Sequence, residues 1–268
     1  MPATTPAQRA NATQALLADT RLWRAASLGA SSSPCIPSGF ATLDAELPGG
    51  GWPTGMLSEL LLAHASCEWR LLGPALGALL AGKAKAKSKT VLLINPERMP
   101  HLPGLRQHGI SPEQLVWIAP EPGRQQARQS LWATEQAIKS QAAAAILAWL
   151  PELRPEQMRR LQAAAQGSPA PVFVMRPLSA QLQSSAAPLR LLLATDSAWQ
   201  LQVHILKRRG PAHEGWLDLP SIPAELDALL TPRIRAAPPG PSPAPTLPRA
   251  PQEPAHALAR ALVPAVQR

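Results

Sequence analysis

The stretch LSELLLAHASCEWRLL, residues 57–72, changes its periodicity halfway. Its first six residues are a short apolar run, the pattern of a buried strand. After a break, the apolar residues of 67–82 recur at helical spacing. A strand, a short break and a helix form the opening unit of an α/β fold. The same alternation runs outward from it. TVLLIN, LVWIAP, AAAILAWL, PVFVMR, LRLLLAT and WQLQVHILK read as further buried strands. Helical stretches fall at 101–108, 123–140 and 155–166, the last two opened by PEPG and RPEQ. Strands that alternate with helices predict right-handed crossovers, hence a mostly parallel sheet with helices on both faces. Only DSA separates the last two strands, which predicts an antiparallel hairpin at the sheet edge.

This α/β core is expected to span residues 35–232. Residues 1–34 read as an N-terminal helical arm followed by a Ser-rich linker, GASSSP. Residues 233–268 hold nine prolines and five arginines against one glutamate, the composition of a disordered, basic, Pro-rich tail. Such a tail is either a solvated end or a tether. Within it, HALARALV has the spacing of a short amphipathic helix.

A chain of 268 residues suits one large α/β domain with tails. Its net charge of +9 favours polyanions or acidic protein surfaces, although a genome rich in Arg, Ala and Pro codons accounts for such an excess equally well. The two cysteines, Cys35 and Cys67, suggest neither a disulfide framework nor a zinc site. The six histidines never fall at metal-ligand spacing. There is no signal-peptide core and no long apolar span, so a cytoplasmic protein without a membrane segment is expected.

Residues 57–72 occupy the place of a phosphate loop, which needs a particular chemistry. In GxxxxGK[ST], small residues let backbone N–H groups wrap the phosphates, Lys neutralises charge and the hydroxyl holds Mg²⁺. The lead-in PSGFATLDAELPGGGWPTGMLSEL, residues 37–60, resembles the segment that enters the first core strand of RecA-type recombinases. Gly39, Leu43, Asp44, Gly49, Gly50, Gly51 and Gly55 fall in step with it. In that register Leu62 stands at the first loop glycine, Cys67 at the second, Glu68 at the lysine and Trp69 at the hydroxyl residue. Each change opposes nucleotide binding: two Cβ atoms where backbone must approach phosphate, a negative charge, and a bulky ring.

The resemblance continues along the chain. It places Glu97 at the glutamate that activates water, and Trp149 where the metal-site Asp would stand. It puts Arg176 at the end of the strand leading to a DNA-binding loop, here the short PLSAQLQSSAAP. Lys207 and Arg209 take the places of a basic pair that reaches a neighbouring subunit's nucleotide phosphates. LPGGGWPTGMLSELLL, AILAWLP and VHILKRRG together resemble the ImuA family of translesion-synthesis-associated proteins, over about residues 21–220. That resemblance implies a non-enzymatic RecA-like accessory protein in damage-induced mutagenic synthesis. The implied partners are an inactive Y-family polymerase homologue (ImuB) and an error-prone C-family polymerase. No cofactor is implied. RecA itself, a second copy and DNA are further expected contacts, with residues 1–34 as a docking arm. Two other functions stay open: a SulA-like inhibitor of cell division, and a RecA-type ATPase, which Leu62, Glu68, Trp69 and Trp149 disfavour.

Lys207, Arg208 and Arg209 form the densest basic cluster, a phosphate contact, a subunit contact or a solvated strand end. KAKAKSK, residues 83–89, reads as a solvated connection or a nucleic-acid contact. Among eight tryptophans, Trp117, Trp132 and Trp149 are expected to pack in the core. Trp52 and Trp69 are expected to line the vacated nucleotide pocket, with Trp69 and Leu62 plugging it. Stacking on single-stranded bases would need an exposed ring beside positive charge.

Overall fold

A computed structural model describes residues 34–64, 67–82, 90–197, 200–222 and 229. Of the arm and linker expected over 1–34, residues 1–33 lie outside the described residues, as do the lysine-rich 83–89 and the tail 233–268.

The chain order is β1 (Cys35–Ile36), α1 (Ala41–Glu46), β2 (Trp52–Pro53), β3 (Leu57–Leu62), α2 (Glu68–Ala81), β4 (Val91–Ile94), α3 (Leu102–Gln107), β5 (Leu115–Ile118), α4 (Gln126–Ser140), β6 (Ala145–Trp149), α5 (Pro155–Ala165), β7 (Val172–Pro177), β8 (Leu189–Ser197), β9 (Gln200–Lys207) and β10 (Leu217–Pro220). Among the described residues the main sheet has eight strands, in the order β10-β9-β8-β3-β7-β6-β4-β5. From β8 to β5 every neighbouring pair is parallel. β9 and β10 run antiparallel to their neighbours. The expected α/β sheet, mostly parallel, is therefore present.

Alternation along each strand assigns its side chains to two apolar layers. In β7, Phe173 and Met175 face α2, while Val172 and Val174 face α4 and α5. β6 does the same with Leu147 and Trp149 against Ile146 and Ala148. Both faces are covered by helices, as a parallel sheet requires.

The lead-in is a packed structure. β1 and β2 pair antiparallel, and α1 sits between them in sequence. Asp44 ties it down by accepting from Ser38 N–H at 2.8 Å. Gly51 passes against the Ile36 carbonyl, where a Cβ has no room. Gly39, at φ +90°, lies over Pro74 of α2, so both its dihedral and its contact require glycine.

Two expectations fail here. The β8–β9 hairpin does not form the edge, because β10 pairs antiparallel outside β9. LDLP is short and ends in proline, a weak strand signal. Pro220 is tolerated because it closes the outermost strand, where no N–H is needed. Trp117 is not core. It lies on β5, the opposite edge, with 38% of its surface exposed.

Candidate functional site

In open α/β sheets, ligands bind beyond the carboxyl ends of the parallel strands. Four of the residues singled out from sequence meet there. Leu62 ends β3, Glu97 follows β4, Trp149 ends β6 and Arg176 lies near the end of β7. With Pro151, Met175 and Pro177 they surround a cavity of about 160 Å³. That is below the roughly 300–1,000 Å³ of ordinary ligand pockets.

Cys67 precedes α2, and Glu68 and Trp69 begin it. None of the three lines this cavity, and Trp69 lines a separate one of about 630 Å³. Cys67 is buried in the core. Its thiol donates to the His64 carbonyl at 3.0 Å. Burial, reinforced by the neighbouring Glu68, pushes that thiol up to about 12, so it stays protonated and unreactive. Glu68 is the first residue of the helix and is 3% exposed. Its carboxylate lies at the positive end of the helix dipole, the position a bound phosphate takes in a phosphate loop. Trp69 is partly buried, its ring centroid 6.2 Å from that of Trp149. Two indoles thus pack together between the start of α2 and the end of β6.

Asn95 organises this edge and was missed from sequence. Its backbone is left-handed, φ 54°, and its amide donates to the Trp149 carbonyl at 3.1 Å. Gln126 donates to its side-chain oxygen at 2.8 Å, and its own N–H reaches Ile118 O at 2.8 Å. One residue therefore links β4, β5, β6 and α4. Asn at a strand end followed by proline was the available signal, since Asn tolerates left-handed backbone.

Arg176 does not contact a nucleic acid or a subunit from the surface, contrary to expectation. Its side chain is 2% exposed and Nη1 binds Glu59 Oε1 at 3.0 Å. Arg190 Nε binds the other Glu59 oxygen at 2.6 Å. The surplus positive charge is shared with neutral oxygens. Arg176 donates to Leu153 O at 2.8 Å and Gln183 Oε1 at 2.7 Å, and Arg190 to Ala180 O at 3.1 Å. The trio crosses β7, β3 and β8 and fixes the turns after β6 and β7. Glu59 sat unremarked inside LSELLL. A carboxylate at 0% exposure had to have cationic partners.

The basic cluster lies elsewhere. Lys207 pairs in register with Arg190, near the amino end of β8, so it sits at the end of the parallel strands opposite the cavity. Arg208 turns inward: it binds the Glu46 carboxylate at 2.7 Å, the Glu46 carbonyl, and Pro211 O at 2.7 Å. It is a clamp onto α1, and its expected role as a phosphate or subunit contact is replaced by that contact. Lys207 is exposed and donates to Ser185 O at 3.0 Å, while Arg209 is exposed.

Trp52 does not line the cavity either. It is fully buried and packs edge-on to Phe173, centroids 5.2 Å apart, near the amino end of β7. Trp132, expected to pack, is 62% exposed. The buried side of α4 runs through Ser130, Ala133, Thr134, Ala137 and Ile138, and position 132 points away from it.

No protein-family model matches this chain, and no curated protein is significantly similar to it in sequence. Among the described residues no His, Cys, Asp and Glu cluster is placed to hold a metal ion. None of their helices is long and apolar enough to cross a membrane.

Proposed function

We propose that this chain is a RecA-like accessory protein of the ImuA type, without ATPase activity, acting in damage-induced mutagenic synthesis. Its partners are the inactive Y-family polymerase homologue and, through it, an error-prone C-family polymerase. The observation that carries this reading is the start of α2. There Glu68 is buried at the first residue of the helix and Trp69 packs on Trp149, and the stretch between β3 and α2 has no glycine and no lysine to offer a phosphate. The sheet supports the same reading. The strand bearing the loop position is central, and the strands matched to the water-activating and metal-site positions end on the same side of the sheet. The resemblance that runs from the glycine-rich lead-in to VHILKRRG supplies the partners.

Two measurements test the proposal. Titration with a non-hydrolysable ATP analogue is expected to show no micromolar binding; such binding would overturn the non-catalytic reading. Affinity capture from DNA-damaged cells is expected to recover the polymerase components. Recovery of division proteins in their place would favour the inhibitor reading.

A further inference from the structure

A polar cleft of about 480 Å³ opens between the start of α4 and the turn after β6. Arg124, Arg128 and Arg154 line it, all exposed, with Glu152 as the single carboxylate among the described lining residues. None of the three arginines enters any of the ion pairs formed among the described residues. The only carboxylate on α4 itself, Glu135, is occupied: Lys139 holds one oxygen at 2.6 Å and Arg160 the other. The cleft is thus a cationic surface with little to neutralise it from within.

Trp132 stands one helical turn beyond Arg128. Residues four apart on a helix share a face, so the exposed indole, just outside the cleft lining, lies on the same face of α4 as Arg128, which enters no ion pair among the described residues. At 62% exposure the ring leaves most of its surface to solvent and makes little contact with the core. An aromatic platform beside cationic groups is the arrangement that takes unpaired bases on the ring and phosphates on the arginines. A duplex keeps its bases stacked and offers the ring no face. Isolated phosphate would use the arginines and leave the ring unexplained.

We infer that this face of α4, with the cleft beside it, binds single-stranded nucleic acid: Trp132 stacks on a base, and Arg124, Arg128 and Arg154 hold the backbone phosphates. The site is separate from Lys207, which sits at the amino ends of the parallel strands while the cleft lies beyond the carboxyl end of β6, and from Arg209 two residues on. It does not rest on the accessory-protein reading.

The test is fluorescence anisotropy of the full chain with fluorescein-labelled oligothymidylate and oligouridylate, with duplex DNA as competitor. Trp132→Ala is expected to weaken binding about 5- to 150-fold, and Trp132→Phe to keep most of it. Replacing the three arginines by Gln is expected to reduce the log–log salt slope by about 2. These side chains are exposed, so unchanged thermal melts verify the fold. Stronger binding to one oligonucleotide identifies DNA or RNA as the natural strand, and either result supports the site. The inference is overturned if the chain does not bind, if duplex competes equally, or if only Lys207→Ala with Arg209→Ala lowers affinity. Capture of the polymerase partner is expected to survive Trp132→Ala; its absence alongside intact oligonucleotide binding would count against the accessory reading alone.

Discussion

Glu59 is the residue on which the interior electrostatics turn. It is fully buried between two guanidiniums, whose other hydrogen bonds go to neutral oxygens, while Arg176 Nε is buried without a partner. Glu59→Gln leaves two buried positive charges without a counter-charge. A loss of about 3–5 kcal/mol is expected, read as a lower denaturant midpoint. A replacement that removes all three charges together is expected to cost less, because the desolvation penalty goes with them. His108 offers a contrasting case with a pH signature. Burial lowers its pKa from the ordinary 6.5, so the fold holds the neutral ring. The unfolded chain takes up a proton first as pH falls, so this contribution to stability is intact above about pH 6.5 and declines below it. Melting temperature is expected to drop between pH 7.5 and 5.5, and His108→Gln to flatten part of that drop.

Helix α2 shows how an element is shaped by its neighbour. Gly73 and Gly77 lie one turn apart and face His108 at the end of α3. A methyl group at 73 would meet the His108 ring, which can rotate; at 77 it would meet the His108 carbonyl, which cannot. Helix propensity favours either Gly→Ala change by up to about 1 kcal/mol. Overpacking against fixed backbone costs about 1–3 kcal/mol. Gly77→Ala is therefore expected to destabilise, and Gly73→Ala to be milder, in parallel thermal melts. Elements of this kind also mark what a single sequence discloses. β3, α2 and the parallel strands were legible because each is an apolar run bounded by breaks. β10 was not, because four residues ending in proline carry no periodicity. Trp117 and Trp132 were misassigned because periodicity tells which residues share a face, and not whether anything covers that face. Leu62, Glu97, Trp149 and Arg176 line one cavity at the carboxyl ends of the parallel strands. The partner of Arg176 was hidden, since its carboxylate lies 117 positions away.

Across the whole molecule, the positive charge is divided among separate places. Arg176 and Arg190 are interior, Arg208 is a clamp, Lys207 and Arg209 lie at the end of β9, and the α4 cleft carries its own three arginines. A net charge of +9 thus describes several unrelated jobs, which is why composition alone pointed to polyanions without locating a surface. The order of the sheet carries a further consequence. β3 is the first long strand in the chain, yet its neighbours are β7 and β8. The clamp from Arg208 to Glu46 spans 162 positions. During synthesis, the first core strand leaves the ribosome long before either flanking strand exists, with both hydrogen-bonding edges unpaired. Completion of the core waits on nearly the last part of the sheet to be translated, so the nascent chain passes through an extended, aggregation-exposed interval in which chaperone protection matters most.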